Sequence, residues 1–273
     1  MTSFLARLGA LMAAAALAGC ATLSTGPALP PPPLPHANGE VLWGLVNGRC
    51  VPGVRGGAGP APCLAVVSAP RPGSDYVLLK DRVGVAQMLI MPTERITGIE
   101  DARLLAPGTT NYFAAAWLSR PWLDSRLSAP LAREAVSIAV NSPYGRTQDL
   151  LHLHLDCISR DALAALQAQA RDVGPRWSRR PLTLNGHPYH ARWIEGDALR
   201  ADPFRLLADG MPGARSHMAA WSLVLVGAFR GPDRPGFLLL ATRADPAAGN
   251  TASGEELQDH TCAIAPVAAA AAG

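Results

Sequence analysis

Short apolar runs separated by turn-forming residues recur along the chain. Tyr76 to Asp81 and Gly84 to Pro92 flank a tight turn, and Trp221 to Phe229 and Gly236 to Arg243 flank a polar turn with glycine and proline. Apolar runs of this length, bounded by turn residues, favour strands, and close spacing favours antiparallel pairing. Each pair of runs therefore predicts a β-hairpin.

Three other segments predict helices, because each begins with residues that cap a helix N-terminus. Asn111 to Arg120 is rich in alanine, and Ser159 opens an amphipathic segment that a Gly-Pro pair ends. Ser253 and Glu256 have capping-box spacing, which predicts a last helix near the C-terminus. Hairpins interleaved with helices, without βαβ periodicity, predict an α+β domain: an antiparallel β-sheet with flanking helices.

The stretch just before Ser159 alternates strictly between leucine and polar residues. It follows an apolar strand, Ala135 to Ser142, and a turn, so the two form a further predicted hairpin. Successive side chains of a strand point to opposite faces. The leucine face predicts core, whereas the polar face is either solvated or a row that binds or attacks a substrate. The leucine face carries Leu151, Leu153 and Leu155, and the polar face carries His152, His154 and Asp156.

Composition and charge narrow the classes of function. The chain has 273 residues, of which 49% are hydrophobic, and a formal net charge of +3. This length suffices for one sizeable domain or two small ones. The basic residues are scattered and form no block with interleaved aromatic residues, so the sequence argues against nucleic acid as a partner.

The chain begins with a predicted lipoprotein signal peptide, residues 1–19. It has one basic residue and an apolar run too short for a membrane span, and Leu17 to Cys20 resemble the lipobox of bacterial lipoproteins. Cleavage before Cys20 and its lipidation would yield an exported, membrane-anchored lipoprotein facing the periplasm. Residues 20–38 predict a proline-rich tether, residues 39–264 the folded domain, and residues 265–273 a disordered alanine-rich tail.

Four cysteines remain for the folded domain: Cys50, Cys63, Cys157 and Cys262. An exported protein is expected to oxidise them, and four cysteines allow three pairings. Proximity in sequence favours Cys50 with Cys63, which leaves Cys157 with Cys262. Cys157 lies on the leucine face, against which the predicted C-terminal helix would pack. A metal site is the alternative, but no CxxC spacing supports it.

Residues around the polar row resemble the histidine-triad superfamily, in which an asparagine, a glycine-containing turn and a glutamine precede a His-x-His-x-His strand. Asn141, Gly145, Gln148, His152 and His154 occupy those places. Within the superfamily, the chain resembles the CDP-diacylglycerol pyrophosphatase family over nearly all of residues 39–264. The similarity rests on seven fragments in the family's order: YVLLKD, MPTERITGIE, PGTTNYFAAAW, AVSIAVNSPYGRTQDLLHLHLDC, NGHPYHAR, PFRLLA and ELQDHTC.

This resemblance implies a histidine-triad-like (HIT-like) fold that hydrolyses CDP-diacylglycerol to CMP and phosphatidate, with no cofactor and no metal. His154 would be the nucleophile that attacks the cytidylyl phosphorus and forms a covalent nucleotidyl-histidine. His152 would orient this face, and Gln148 would donate its amide to phosphate oxygens. Asn141 would be a second amide donor to these oxygens, and the turn that follows it supplies two further candidate substrate contacts, Arg146 and Thr147.

Asp156 departs from the superfamily pattern, because a third histidine usually occupies this place. A departing phosphatidate is a weak base that needs little protonation, so an acid is not required here. We expect Asp156 to hold a histidine tautomer or a water instead. His187 and His260 also match family positions, and we expect each to be a hydrogen-bonded structural histidine.

Three alternatives stay open on the sequence alone. The HLHLD run approaches the ligand motif of metal-dependent hydrolases, but Cys157 stands where that motif has a histidine. A protein that only binds a nucleotide or lipid head group would need no nucleophile. An enzyme for another CDP-alcohol or nucleotide diphosphate would keep the same chemistry. The expected partners are the lipid substrate and the membrane surface, and a homodimer is the candidate protein assembly.

We predict that the lipidated Cys20 anchors the protein. In a host that processes lipoproteins, Cys20→Ala should move the protein from the membrane fraction to the soluble fraction, because the acyl chains are lost. Cell fractionation followed by immunoblotting measures the distribution. A variant that sediments with membranes as fully as the parent would place the anchor elsewhere.

Overall fold

The computed structural model describes residues 39–68 and 75–266. The predicted signal peptide, Cys20, the tether and residues 267–273 of the predicted tail lie outside the described residues. Within the described ranges, no helix has the length and hydropathy needed to cross a membrane.

The described part of the chain folds around one antiparallel sheet of nine strands. The strands are β1 Ala65–Val67, β2 Tyr76–Lys80, β3 Met88–Pro92, β4 Val136–Val140, β5 Leu153–Cys157, β6 Leu182–Leu184, β7 His187–Glu195, β8 Trp221–Phe229 and β9 Pro235–Arg243. Their order across the sheet is β1-β2-β3-β5-β4-β8-β9-β7-β6. Every neighbouring pair is antiparallel, which confirms the predicted α+β class.

Short helices flank the sheet. They are α1 Val41–Leu45 and α2 Val51–Arg55, joined by a π-helical turn, then α3 Tyr112–Leu118, α4 Arg120–Asp124, α5 Arg160–Gln169 and α6 Pro203–Gly210. Two of them begin at predicted caps. Asn111 accepts a hydrogen bond from the backbone N–H of Ala114 at 3.0 Å, and Ser159 accepts one from Ala162 at 3.2 Å. These caps satisfy N–H groups that the first helical turn leaves without partners.

The three predicted hairpins are confirmed as β2–β3, β4–β5 and β8–β9. Strands β6 and β7 and helix α6 are not among the predicted elements. Pro188 lies within β7, opposite Thr183 of the short edge strand β6. Proline cannot donate to a strand ladder and is therefore a signal against a strand, although an edge pair tolerates it.

The C-terminal helix predicted from Ser253 and Glu256 is wrong. Gly254–Leu257 forms only a 3-10 turn. The Ser253 hydroxyl donates to Asn141 Oδ1 at 3.3 Å instead of capping a helix, and Glu256 accepts hydrogen bonds from two side chains of β7. Tertiary contacts thus occupy both members of the capping box, and the chain continues along the sheet without a helix.

The leucine face of β5 is core, as predicted. Leu153, Leu155 and Cys157 are fully buried and belong to one apolar cluster with Phe113 of α3. The opposite face is covered by α5 and by residues 250–262, which we call the C-terminal segment. Over β2 and β3 it is covered by the α1–α2 segment. The predicted polar row is consequently buried, with exposed fractions of 7% for His152, 5% for His154 and 0% for Asp156. The alternative of a solvated strand face is therefore wrong.

Two disulfide bonds join the cysteines as predicted. Cys50 pairs with Cys63 within the N-terminal segment, and Cys157 pairs with Cys262 across 105 residues of sequence. The second bond ties the last residue of β5 to the segment that covers the polar row. Cross-linking residues so far apart in sequence removes much conformational freedom from the unfolded chain.

Candidate active site

His154 lies near the middle of β5, between β3 and β4. Its backbone pairs with Leu89 on one side and Ala139 on the other. A strand held on both edges has little freedom to shift, so the ring projects from a fixed position. The residues that surround this ring come from distant parts of the chain.

The two ring nitrogens of His154 have different surroundings. Nδ1 lies 2.9 Å from Oε1 of Glu255 and 3.1 Å from Nε2 of Gln87, and the Gln87 amide lies 3.2 Å from the same Glu255 oxygen. An ionised carboxylate only accepts hydrogen bonds, so Nδ1 and the Gln87 amide both donate to it. Nε2 is buried and has no hydrogen-bond partner among the described residues. In its neutral form, the His154 ring therefore carries the proton on Nδ1 and the lone pair on Nε2.

Glu255 is ionised in this setting. Burial alone would raise the pKa of its carboxyl group, but hydrogen bonding and charge interaction with His154, together with the hydrogen bond from Asn141, lower that pKa to about 2. The Asn141 amide donates to Oε2, and its oxygen accepts from the Glu255 backbone N–H at 3.4 Å. Asn141, predicted to bind substrate, is thus in contact with the carboxylate that holds His154.

His152 lies beside His154, with ring centroids 4.7 Å apart in an edge-to-face arrangement. Its Nδ1 is 2.6 Å from the carbonyl oxygen of Leu150, which can only accept, so Nδ1 carries the proton. Burial, and then repulsion from His154, lower the pKa of His152 to about 4. His152 is therefore neutral at physiological pH.

Asp156 holds a histidine, as expected, and that histidine is His260. His260 Nδ1 donates to Asp156 Oδ2 at 2.7 Å, while Oδ1 accepts from the Cys157 N–H at 2.8 Å. Burial raises the pKa of the Asp156 carboxyl against the lowering effect of these two donors. The hydrogen bond to Asp156 raises the pKa of His260.

The C-terminal segment reaches the site because it lies directly on the sheet. A Cβ at Gly254 would lie 2.8 Å from the Ser222 hydroxyl and 3.1 Å from Cβ of Ala139. Both distances are too short for a side chain at this position to fit without displacing its neighbours. The glycine allows the backbone to approach β4 and β8, and this approach brings Glu255 to His154.

The other residues predicted to contact substrate lie in the turn between β4 and β5. The Gln148 oxygen accepts from the backbone N–H of Leu42 at 3.2 Å, and Thr147 is exposed. The buried Arg146 makes two 2.7 Å contacts with Glu100 and lies 3.4 Å from Asp149. Its charge is therefore already compensated by two carboxylates. The substrate-binding roles of these three residues stay predictions.

One group of potential metal ligands occurs within residues 39–68 and 75–266, formed by Asp156, Cys157 and Cys262. Its two sulfur atoms are joined in a disulfide and cannot act as thiolate ligands. This cluster therefore gives no support to the metal-dependent alternative.

Glu255, Gln87 and the pairing of His260 with Asp156 are not among the residues predicted for catalysis. Two adjacent glutamates precede QDHTC in the sequence, and nothing local distinguishes Glu255 from Glu256. Gln87 lies between a turn and β3, in an otherwise apolar run, which is a weak signal for a buried polar contact. Only the packing of the C-terminal segment on the sheet identifies these residues as part of the site.

The fold and site define an α+β protein whose central histidine is oriented by a carboxylate, an arrangement that suits nucleophilic catalysis. The chain belongs to the CDP-diacylglycerol pyrophosphatase family, whose profile matches residues 37–266. A CDP-diacylglycerol pyrophosphatase from Yersinia pestis is 40% identical over 234 residues, which cover 85% of this chain and 88% of the relative. The family resemblance and the assignment as a hydrolase are thereby confirmed.

We predict that the His152 ring stays neutral as the pH falls to about 4. Its folded pKa lies below the ordinary value of 6.5, so protons bind the unfolded chain first and the free energy of unfolding decreases as the pH falls from 6.5 towards 4. Histidine chemical shifts give the midpoint, and urea unfolding of His152→Gln should show a weaker decrease over this range. A His152 midpoint near 6.5 would contradict the burial argument.

Proposed function

We propose that the protein hydrolyses CDP-diacylglycerol to CMP and phosphatidate through a covalent nucleotidyl-His154 intermediate. Membership of the family supports the substrate, which the name of the Yersinia pestis relative also gives. The observation that carries the mechanism is the His154 ring itself. Its Nδ1 contacts the Glu255 carboxylate at 2.9 Å, and its Nε2 has no hydrogen-bond partner among the described residues.

In the first step, Nε2 of His154 forms a bond to the cytidylyl phosphorus while the bond from phosphorus to the bridging oxygen breaks. The bridging oxygen leaves with phosphatidate, a weak base that needs little protonation. Positive charge develops on the ring as the P–N bond forms. The Glu255 carboxylate on the Nδ1 side stabilises that charge, and its geometry is in place before the reaction.

In the second step, water attacks the phosphorus of the nucleotidyl-histidine and the bond to Nε2 breaks. The water oxygen stays with CMP, and the proton that water loses passes to solvent. The Nδ1 proton remains on the ring throughout, so His154 leaves as a neutral imidazole with its Nε2 lone pair restored. Two displacements thus replace a single, more difficult one.

The neutral state of His152 fits this scheme. A positive ring with its centroid 4.7 Å from that of His154 would oppose the charge that develops during attack. The amide nitrogen of Gln148 and the hydroxyl of Thr147 are proposed donors to phosphate oxygens, and Arg146 reaches substrate only by giving up a carboxylate. Asn141 contributes by holding Glu255.

The same proposal includes a HIT-like fold and the anchor at Cys20. CDP-diacylglycerol is itself a lipid and is confined to a bilayer. An enzyme tethered to that bilayer encounters its substrate at a high effective concentration. The predicted periplasmic location follows from the signal peptide and the lipobox-like residues.

We predict that turnover in heavy-oxygen water labels CMP and leaves phosphatidate unlabelled. The label enters only when water breaks the bond between phosphorus and His154, after phosphatidate has left with the bridging oxygen. Mass spectrometry of both products measures its position. Label in phosphatidate would mean attack on the lipid phosphorus and would contradict the assigned role of His154.

The matched variants are His154→Ala and His217→Ala, since His217 is an exposed histidine outside the site. We expect the first to lose at least about a thousandfold in turnover, as removal of a nucleophile does, and the second to match the parent.

Parallel assays with CDP-choline, ADP-ribose and dinucleoside polyphosphates test the substrate. Faster turnover of any of these than of CDP-diacylglycerol would favour the alternative substrate class.

A further inference from the structure

Asp156 occupies the place of the triad's third histidine, yet it is fully buried and has contacts that leave it no direct route to a substrate. Its exposed fraction is 0%, and both carboxylate oxygens have donors, His260 on one and the Cys157 N–H on the other. A buried acid with both oxygens bonded costs desolvation energy that its partners must offset. Its evident partner in the site is therefore His260.

His260 connects Asp156 to the carboxylate that holds His154. Its Nδ1 donates to Asp156 at 2.7 Å, and its Nε2 lies 3.9 Å from Oε1 of Glu255. The same Glu255 oxygen lies 2.9 Å from Nδ1 of His154. An alternating row of acid and imidazole groups thus runs from Asp156 through His260 and Glu255 to the central ring.

The position of His260 is fixed from two sides. Its carbonyl oxygen accepts a hydrogen bond from the Val85 N–H at 2.9 Å, which joins it to the loop between β2 and β3. Two residues further along, Cys262 is bonded to Cys157, the neighbour of Asp156. The imidazole is one-third exposed, so it can exchange protons with solvent while its ring stays in place.

We propose that His260, held by Asp156, is a positioning residue for the reaction, because its imidazolium holds the Glu255 carboxylate in contact with His154. The pair replaces the third histidine of the row with one supplied by the C-terminal segment. This inference rests on the proposed function of His154. It assigns His260 no contact with substrate, since the Glu255 carboxylate lies between the two imidazole rings.

Four carboxyl groups lie near His260. Asp156 lies on β5, Glu255 on the 3-10 turn and Asp81 on the loop after β2, and Asp259 precedes His260 in the chain. The hydrogen bond to Asp156 and the charges of Asp156, Glu255 and Asp81 raise the pKa of His260. His260 is therefore protonated below a pH that lies above its ordinary value of 6.5, and Glu255 loses its positive neighbour when the pH rises beyond that point.

The test measures kcat and KM for CMP release between pH 5.5 and 9.5 in wild type and His260→Gln. Glutamine retains an amide donor for Asp156 but carries no charge. Wild-type kcat should fall on the alkaline side with the midpoint at which His260 titrates in NMR spectra. We expect His260→Gln to have about tenfold lower kcat, no such alkaline decrease, and a KM within about twofold.

His187→Gln is the matched control. His187 bonds to Glu256 at 2.8 Å, so this variant removes a neighbouring histidine–carboxylate pair of the same C-terminal segment without changing the row. It should keep the wild-type pH profile. Equal losses in both variants would mean that His260 only stabilises the segment, and an unchanged profile in His260→Gln would also overturn the proposal.

A double-mutant cycle tests whether His260 acts through Glu255. In a Glu255→Gln background, the further change His260→Gln should alter kcat by less than about twofold, because the group on which it acts is already neutral. A full tenfold loss in that background would show that His260 acts independently of Glu255. Such a result would contradict the proposal.

Nitrogen-15 NMR of the free enzyme separates this proposal from the proposed function, because it needs no turnover. At neutral pH, wild-type His154 should show a protonated Nδ1 and an unprotonated Nε2, and His260→Gln should show a mixture of the two tautomers. If this difference appears but wild type releases no CMP from CDP-diacylglycerol, the proposed function fails and the positioning role stands. If CMP is released but the His154 tautomer and the pH profile are unchanged in the variant, the positioning role fails.

If the His260→Gln variant does not fold, the wild-type enzyme alone still tests the proposal. The pH midpoint of His260 in NMR spectra and the alkaline midpoint of kcat should then agree, and a difference of more than one pH unit would overturn the proposal.

Discussion

The contact between the His154 ring and the Glu255 carboxylate is the interaction on which the site depends. It determines which ring nitrogen carries the proton and leaves Nε2 without a partner among the described residues. Burying a carboxylate is unfavourable unless its oxygens are bonded. The side-chain amides of Gln87 and Asn141 satisfy that condition, each bonding one of its oxygens. Residues far apart in the sequence therefore contact the same carboxylate and together keep it in place beside His154.

The sheet can hold this arrangement because the C-terminal segment is attached to it along its length. The segment forms a bridge from Gln258 to Ile158, and the Gln258 amide donates to the Ser137 hydroxyl at 3.0 Å. The disulfide from Cys157 to Cys262 closes the attachment at the end of β5. A segment held by a bond, a bridge and side-chain contacts can place a carboxylate accurately without being a helix.

The parts of the fold that were predicted from the sequence are those with a local period. The alternation from Leu151 onward placed Cys157 on the core face and His154 on the polar face, because successive side chains of a strand point to opposite faces of the sheet. Glu255 could not be found in this way, since its role arises only from contact with a strand distant in sequence. A tertiary contact also explains why the capping box at Ser253 predicted a helix that does not form. The Ser253 hydroxyl donates to Asn141 and does not cap a helix. Local propensity gave way to tertiary contacts at the residues that build the site.

The central claim is that His154 becomes covalently attached to the nucleotide, and the most direct measurement is to isolate that species. Wild-type enzyme should be mixed with CDP-diacylglycerol that carries radioactive phosphorus in the cytidylyl group, quenched within milliseconds in alkali, digested and analysed by mass spectrometry. The account predicts a labelled peptide modified at His154, with a bond that survives alkali and breaks in acid. Label attached to His152 or to a carboxylate, or no labelled peptide during rapid turnover, would contradict it.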